Sequence, residues 1–266
     1  MKKVLITAGG TVEKIDSVRV LTNISSGKLG AKIAENFCNA NYPDKVLTDE
    51  KVWVHGFHGS EKEMLIDFPV PEYKVYYLHS RNAVKPRGRA IKMDYNMQLP
   101  LLWSTNQSTI EMIEVNSVQE VYDKMEELIP EMDACIHSMA VSDFTFNREN
   151  PIKLKSNDAD GFVEFMKNNI QKTPKIISKI KEWNPNIFLV GFKFEVGLDP
   201  EELIDVAVTA KSKYKGNIVV ANDKEQMQKG KSHIAYICRN ERSYYRVENK
   251  QEIAEALLKE IKERVR

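Results

Sequence analysis

Val4-Leu5-Ile6-Thr7 runs directly into Ala8-Gly9-Gly10-Thr11, and a short way on the chain reaches Leu21-Thr22-Asn23-Ile24-Ser25-Ser26-Gly27-Lys28-Leu29-Gly30. The first segment reads as a buried strand that turns sharply on two glycines. The second is a loop dense in hydroxyls, amides and glycines that leads into a helix. Leu29, Ile33 and Phe37 recur at i, i+4 and i+8 with Ala34 beside them, which predicts a helix over residues 28–40. Strand, glycine turn and helix N-terminus in that order build an anion cradle: glycine lets the backbone approach a phosphate, and free helix N–H groups point at it. A glycine-rich turn without a ligand is the competing reading of Gly9-Gly10. The hydroxyls and amide gathered at the helix start are poor core material and favour the ligand.

The loop is not one of the common nucleotide motifs. A Walker A loop needs a glycine four residues before its Gly-Lys pair and Ser or Thr after it, whereas Thr22 and Leu29 stand there. The G-x-G-x-x-G dinucleotide pattern is absent too, because Gly9-Gly10 is followed by Thr11-Val12-Glu13. That absence counts against the main rival, a Rossmann-type NAD(P)-dependent oxidoreductase. A second rival is a non-catalytic nucleotide-binding protein.

Further along, strands and helices alternate. Strands are expected at Lys51–His55, Lys74–Leu78, Asp133–Val141, Ile187–Phe192 and Asn217–Ala221, with a hairpin from Ser232–Cys238 and Ser243–Val247. Ser117 and Glu120 make a capping box, Thr173-Pro174 reads as N-cap and first helical residue, and Asp199-Pro200-Glu201-Glu202 opens a helix to about Lys213. An amphipathic helix, Gln251–Val265, closes the chain. Alternation of this kind predicts an α/β fold, a mostly parallel sheet with helices on both faces. Residues 80–116 break the pattern with a basic stretch, Arg81, Lys85, Arg87, Arg89 and Lys92, and then Tyr95 to Pro100; they read as an excursion from a single domain of 266 residues.

Bulk composition narrows the partners. Basic and acidic residues number 39 and 38, so no nucleic-acid or anionic-membrane surface is implied. No apolar run approaches the roughly 20 residues of a membrane span. Cys38, Cys135 and Cys238 lie far apart, with Cys135 and Cys238 in apolar runs, as buried thiols in a reducing cytosol would be. No Cys/His cluster has metal spacing. Met1-Lys2-Lys3 leads straight into a strand, so no signal peptide is expected and the expected location is cytoplasmic.

Ligands of parallel sheets gather beyond the C-terminal strand ends. Four segments fall there: Gly9-Gly10-Thr11, Met139-Ala140-Val141-Ser142-Asp143, Gly191-Phe192 and Ala221-Asn222-Asp223. After the Asp143 loop comes Pro151-Ile152-Lys153-Leu154-Lys155-Ser156, whose lysines at two-residue spacing would share one face of an extended strand. Such lysines usually mark a solvated edge. Beside a phosphate-binding rim they would neutralise a polyphosphate.

Taken in order, these segments resemble phosphopantothenate–cysteine ligase, also called phosphopantothenoylcysteine synthetase. The matching residues are Gly9-Gly10-Thr11 with Ile15-Asp16-Ser17-Val18-Arg19, Thr22 to Gly30, Ala140-Val141-Ser142-Asp143-Phe144, Lys153-Leu154-Lys155, Thr173 to Ile177, Gly191-Phe192-Lys193 and Val220-Ala221-Asn222-Asp223. The likeness covers nearly the whole chain and is to the free-standing form, without the flavin decarboxylase domain found fused in many bacteria. It implies a Rossmann-like sheet with a small β-hairpin or dimerisation element.

The resemblance also implies a reaction. The family joins 4'-phosphopantothenate to L-cysteine in coenzyme A biosynthesis through an acyl-nucleotide. The co-substrate is CTP or ATP, CTP being typical of bacterial members, and Mg²⁺ offsets the polyphosphate charge. By position, Asn23 and Lys153 are the catalytic residues, with Asn23 also binding phosphopantothenate. An amide there would hydrogen-bond a developing oxyanion. Gly9, Gly10, Thr11, Ser25, Ser26, Gly27, Gly30, Lys153, Phe192 and Asn222 are the nucleotide-binding set, with Phe192 stacking on the base. Met139, Ala140 and Asp143 match positions that reach phosphopantothenate from a partner subunit, which implies a homodimer. Met139 stands where many members have Ala, and Lys155 at a position that is not always Lys. Metal ligands are left open, as is which of Lys211, Lys213 and Lys215 meets phosphate.

Overall fold

A computed structural model describes residues 1–41, 51–55, 61–65, 71–87, 90–92, 98–100, 109–147, 154–155, 157–229 and 232–265. In chain order the strands are β1 (Lys2–Ala8), β2 (Val12–Lys14), β3 (Val20–Thr22), β4 (Lys51–His55), β5 (Glu61–Leu65), β6 (Tyr73–Ser80), β7 (Ala90–Lys92) and β8 (Gln98–Pro100). They continue with β9 (Ile110–Val115), β10 (Ala134–His137), β11 (Phe144–Phe146), β12 (Ile170–Lys172), β13 (Phe188–Glu195), β14 (Ile218–Asp223), β15 (Ala235–Asn240) and β16 (Ser243–Val247). The helices are α1 (Lys28–Ala40), α2 (Val118–Leu128), α3 (Ala159–Asn169), α4 (Ile176–Trp183), α5 (Pro200–Lys213), α6 (Lys224–Lys229) and α7 (Lys250–Arg264).

Eight strands form the central sheet in the order β16-β15-β14-β13-β10-β1-β6-β9. From β14 to β9 every neighbouring pair is parallel, and β15 and β16 add an antiparallel edge. The expectation of a mostly parallel α/β sheet therefore holds. Period-two alternation sorts the core. Val4, Ile6 and Ala8 of β1 face Ala34 and Phe37 of α1 and, further along the same layer, Leu257 and Ile261 of α7. On the opposite face Leu5, Cys135 and Leu189 pack with Val121 and Met125 of α2 and Ile176 and Ile180 of α4. Leu203 and Ala207 of α5 cover Val219 and Ala221 of β14.

Two local signals act where the sequence places them. The Asp199 side chain accepts from Glu201 N and Glu202 N, both at 2.9 Å, and starts α5 with Pro200 in its first turn. Ser117 caps α2 by accepting from Glu120 N at 3.3 Å, while Glu120 reaches back one residue further than a capping box requires, to Asn116 N at 2.8 Å.

Three expectations need correction. Thr173 does not cap α4: its backbone N–H is drawn to the Asp143 carbonyl at 3.1 Å and its hydroxyl to the Ser142 carbonyl at 2.6 Å, so the helix begins at Ile176. The stretch 80–116 is not all excursion, because Ile110–Val115 is the edge strand β9, parallel to β6. The extended strand expected to carry the paired lysines is not formed by its described part, since Leu154 and Lys155 belong to no strand. Lys153, Arg89 and residues 93–97 lie outside the described residues. The Lys51–His55 strand is present, paired with β5 rather than built into the central sheet.

Candidate active site

Two of the four expected segments, Gly9-Gly10-Thr11 and Met139 to Asp143, lie beyond strand ends on one rim, whereas Gly191-Phe192 falls within β13 and Ala221-Asn222-Asp223 forms the end of β14. After β1, Gly10 forms a parallel bridge with Ala140 beyond β10. Ala140 N donates to the Gly9 carbonyl at 2.8 Å, Thr11 N donates to the Ala140 carbonyl at 3.2 Å, and Ser142 N donates to Thr11 Oγ1 at 2.9 Å. Two loops far apart in sequence are thereby zipped into one ledge. Ser138 Oγ extends it inward by donating to the Thr7 carbonyl.

Gly27 is the N-cap of α1, in the left-handed conformation with φ +68°. A Cβ there would lie 2.8 Å from Ala83 Cβ and 3.2 Å from Gly9 N. A Cβ on Gly9, whose φ is +91°, would likewise lie 2.8 Å from Ala83 Cβ. The turn after β6 thus wedges between both glycines, held by Ala83 N to the Ser80 carbonyl and Val84 N to the Ser26 carbonyl, both at 3.0 Å. Sequence reasoning missed this wall, whose only local mark is an ordinary polar turn.

The first turn of α1 carries no side-chain cap and no acidic residue. Its leading N–H groups and positive helix end are left available, and the Ser25 and Ser26 hydroxyls beside them make no hydrogen bond among the described residues. Phe192 and Asn222 lie toward this same layer. Phe192 packs, half-buried, against the cluster that includes α1, and it registers with Val220, two residues before Asn222 on β14. β13 continues to Glu195, so Gly191 and Phe192 lie within the strand, Gly191 level with the end of β10. Asn222 Nδ2 contacts Met227 Sδ at 3.3 Å.

Asn23 is exposed on the ledge. Its Nδ2 donates to the Val141 carbonyl at 3.1 Å and to the Ala140 carbonyl at 3.4 Å. The amide nitrogen is therefore engaged within the protein, and Oδ1 is without a partner among the described residues. Asn23 and Ala140 meet within one chain. Met139 is buried in the apolar cluster against α2 and α4, so its side chain is unavailable and only its backbone could meet a substrate. Asp143 is exposed and paired with Lys175 at 3.1 Å.

Two buried acids hold the ledge from behind. Glu13 Oε1 accepts from Val118 N at 2.7 Å and Oε2 accepts from Thr145 Oγ1 at 2.5 Å, joining β2, α2 and β11. Asp16 anchors the tip of the β2–β3 hairpin to Arg19. Burial pushes the Asp16 carboxyl up, but backbone N–H bonds from Val18, Leu154 and Arg19 and the Arg19 charge outweigh it and hold it below its usual value. Asp16 stands within a matching motif and Glu13 does not, and the partners of Glu13 and one of Asp16's lie more than a hundred residues away. Lys211, Lys213 and Lys215 are not on the rim. α5 starts there and runs back, so its last turn lies at the opposite end of the sheet, where Lys211 donates to the Gly216 carbonyl at 3.5 Å.

Among the described residues no group of three His, Cys, Asp or Glu side chains gathers as a metal cage. Such a cage is not what a nucleotide-borne Mg²⁺ needs, since that ion keeps several waters and takes phosphate oxygens with at most one or two carboxylates. Among the described residues no helix is long and apolar enough to cross a membrane.

A mostly parallel sheet with helices on both faces and small antiparallel hairpins defines a Rossmann-like α/β domain. The chain belongs to the family described as the DNA/pantothenate metabolism flavoprotein C-terminal domain, which matches residues 1–42 and 100–265. It is 29% identical over 262 residues to the coenzyme A biosynthesis bifunctional protein CoaBC of Thermococcus kodakarensis, covering 98% of this chain and 51% of that one. The CoaBC of Methanocaldococcus jannaschii is also 29% identical, over 269 residues, with 99% and 51% covered. The chain thus spans about half the length of these curated relatives. Among solved structures, the DNA/pantothenate metabolism flavoprotein of Streptococcus pneumoniae superposes with a TM-score of 0.70 at 28% identity, covering 98% of this chain and 99% of that one.

Proposed function

We propose that this chain is a phosphopantothenate–cysteine ligase, joining 4'-phosphopantothenate to L-cysteine in coenzyme A biosynthesis. The observation that carries the reading is the rim on which the bare α1 N-terminus and the Ser25 and Ser26 hydroxyls, unbonded among the described residues, lie toward the Phe192 layer, while Asn23 is tied to Ala140 and Val141. A nucleoside triphosphate would lie with its phosphates on the helix end and its base against Phe192 and Asn222. The phosphopantothenate carboxylate would sit on the Asn23–Ala140 ledge.

In the first step a carboxylate oxygen bonds to the α-phosphorus and the bond to the bridging oxygen breaks, releasing pyrophosphate. In the second, the cysteine amine bonds to the acyl carbon, the acyl–oxygen bond breaks, the nucleoside monophosphate leaves and the amine gives up a proton. Fixed donors and cations aimed at the departing phosphates stabilise charge that grows only in the transition state. Lys153 is assigned that role on its family position. Mg²⁺, bound to the nucleotide phosphates, would neutralise part of their charge.

The finer reading is a cytoplasmic homodimer that prefers CTP to ATP. Support for a second copy comes from apolar side chains left in solvent on the β2–β3 hairpin and the segment after it, on β11 and β12, and on α3: Val18 and Val20 at 63% and 50% exposure, Ile24 fully exposed, Phe144, Ile170 and Val163. α3 is without a buried residue. The nucleotide preference rests on the resemblance to bacterial members.

The test is pyrophosphate release. With phosphopantothenate and CTP the enzyme should release pyrophosphate and hold an acyl-cytidylate, and adding cysteine should convert this to the amide. Faster turnover with ATP at matched concentration would overturn the CTP assignment. No pyrophosphate with either nucleotide, together with a nicotinamide absorbance change, would put an oxidoreductase in its place.

A further inference from the structure

The tip of the β2–β3 hairpin grips a segment far along the chain. Asp16 is buried; its Oδ1 accepts from Val18 N at 2.8 Å and Arg19 N at 2.7 Å, and its Oδ2 accepts from Arg19 Nη1 at 2.7 Å and Leu154 N at 3.2 Å. Arg19 Nη1 also donates to the Leu154 carbonyl at 3.3 Å, and its guanidinium carbon lies 5.4 Å from the centroid of the Phe162 ring on α3. Both backbone polar groups of Leu154 are therefore held by one ion pair. Among the described residues these are the hydrogen bonds that hold 154–155.

Leu154 is the residue between Lys153 and Lys155, and the hairpin that grips it runs from the Gly9-Gly10 turn to Asn23. The hydrogen bonds of Thr11 N and Asn23 Nδ2 to the Ala140 loop make that hairpin part of the ledge. A segment pinned to the hairpin is pinned in the frame of the site. The planar guanidinium suits the task, since one nitrogen bridges carboxylate and carbonyl while the flat face meets an aromatic ring.

We infer that Asp16 and Arg19 are positioning residues which latch Leu154, and the Lys155 that follows it, in register with the ledge, touching no substrate themselves. The inference rests on the ligase reading for its kinetic consequence, but the latch has a readout of its own. Displacement of a reacting group by about an ångström costs on the order of a hundredfold in rate.

The experiment uses Arg19→Ala, Arg19→Lys and Asp16→Asn in the full chain. In trypsin digestion followed by intact mass, wild type should resist cleavage after Lys153 and Lys155, while Arg19→Ala should be cut there at least tenfold faster with an unchanged far-UV spectrum. Arg19→Lys, which keeps the charge without the fork, should fall between. In single-turnover amide formation Arg19→Ala should slow the reaction about a hundredfold with little change in KM for the nucleotide. Arg19→Ala combined with Lys153→Gln should be nearly as fast as Lys153→Gln alone, because a lysine already lost has no register to lose. Unchanged proteolysis at 153–155 in folded Arg19→Ala overturns the latch whatever the enzyme does. An active wild type with additive losses in the double variant overturns the kinetic role. A wild type without ligase activity overturns the proposed function and leaves the proteolysis result to judge the latch.

Discussion

Thr7 Oγ1 stands 3.0 Å from His137 Nδ1, and the same oxygen accepts from Met139 N at 3.1 Å. One hydroxyl thus bonds both the His137 ring and the Met139 backbone. The bond ties the last residue of β10 to β1 just beneath the ledge. Burial, and secondarily the Lys175 charge, lowers the His137 pKa to about 4.

Acid should therefore weaken the fold well before carboxylates titrate. Below about 6.5 the unfolded chain protonates its histidines while folded His137 stays neutral until about 4. The unfolded state binds the extra proton, so stability falls as pH falls through that window. The loss attributable to His137 is on the order of 3 kcal/mol by pH 4. His233, lowered to about 4 by burial and by Lys250, adds in the same direction. Asp16 and Asp223, whose pKa values are held down, lose their contribution only lower, as pH falls through their folded values. Urea unfolding from pH 7 to 4 should show this slope, and His137→Asn should reduce it by about one proton. An identical slope in that variant would remove His137 from the account.

Gly27→Ala should destabilise the protein by roughly 2–4 kcal/mol, combining the left-handed backbone with crowding against Ala83. The side chain would press on Gly9 N as well, 3.2 Å from the new Cβ, so CTP affinity should fall with stability. Denaturant titration and calorimetric titration with CTP check the two halves. A change in stability within about 0.5 kcal/mol, the range of an ordinary surface substitution, would mean that the turn does not need glycine.

These sites differ in how far the sequence reveals them. The Gly27 turn, the α1 start and the Asp199 cap are local, and the residues that make them lie within a turn of one another. α3 carries Ala159, Phe162, Val163 and Met166 at helical spacing, a pattern the sequence offers although none of its residues is buried in the fold. β9 is hidden because Ile110-Glu111-Met112-Ile113-Glu114-Val115 is an edge strand with exposed side chains on both faces. Asn23 is legible as a site residue, yet which end of its amide is free depends on the carbonyls of Ala140 and Val141, more than a hundred residues away. The Asp16–Arg19 grip on Leu154 is hidden for the same reason.

Asn23→Asp should nearly abolish amide formation while the fold survives. The side chain is exposed and packs little, so stability should change by less than about 1 kcal/mol. The carboxylate keeps an acceptor but loses both donors, and it places negative charge against the Val141 carbonyl, 3.1 Å from the present nitrogen. It would also repel the substrate carboxylate and phosphates. Thermal unfolding together with cysteine-dependent product formation decides the matter. Ligation at the wild-type rate would take Asn23 off the catalytic list.

Lys153→Gln should damage the reaction more than Lys155→Gln. Lys155 is exposed, and the two lysines flank the Leu154 backbone that Asp16 and Arg19 hold. Only Lys153 matches the family's more dependable lysine. Removing one charge-assisted contact made chiefly in the transition state typically costs about 10²–10³ in rate. The cation offsets charge as the nucleotide phosphates depart, so the loss should fall on turnover rather than on nucleotide affinity. Single-turnover amide formation, measured for both variants beside equilibrium CTP binding, separates the two effects. If Lys155→Gln is the slower enzyme, or if Lys153→Gln raises only KM, the catalytic cation has been assigned to the wrong side of Leu154.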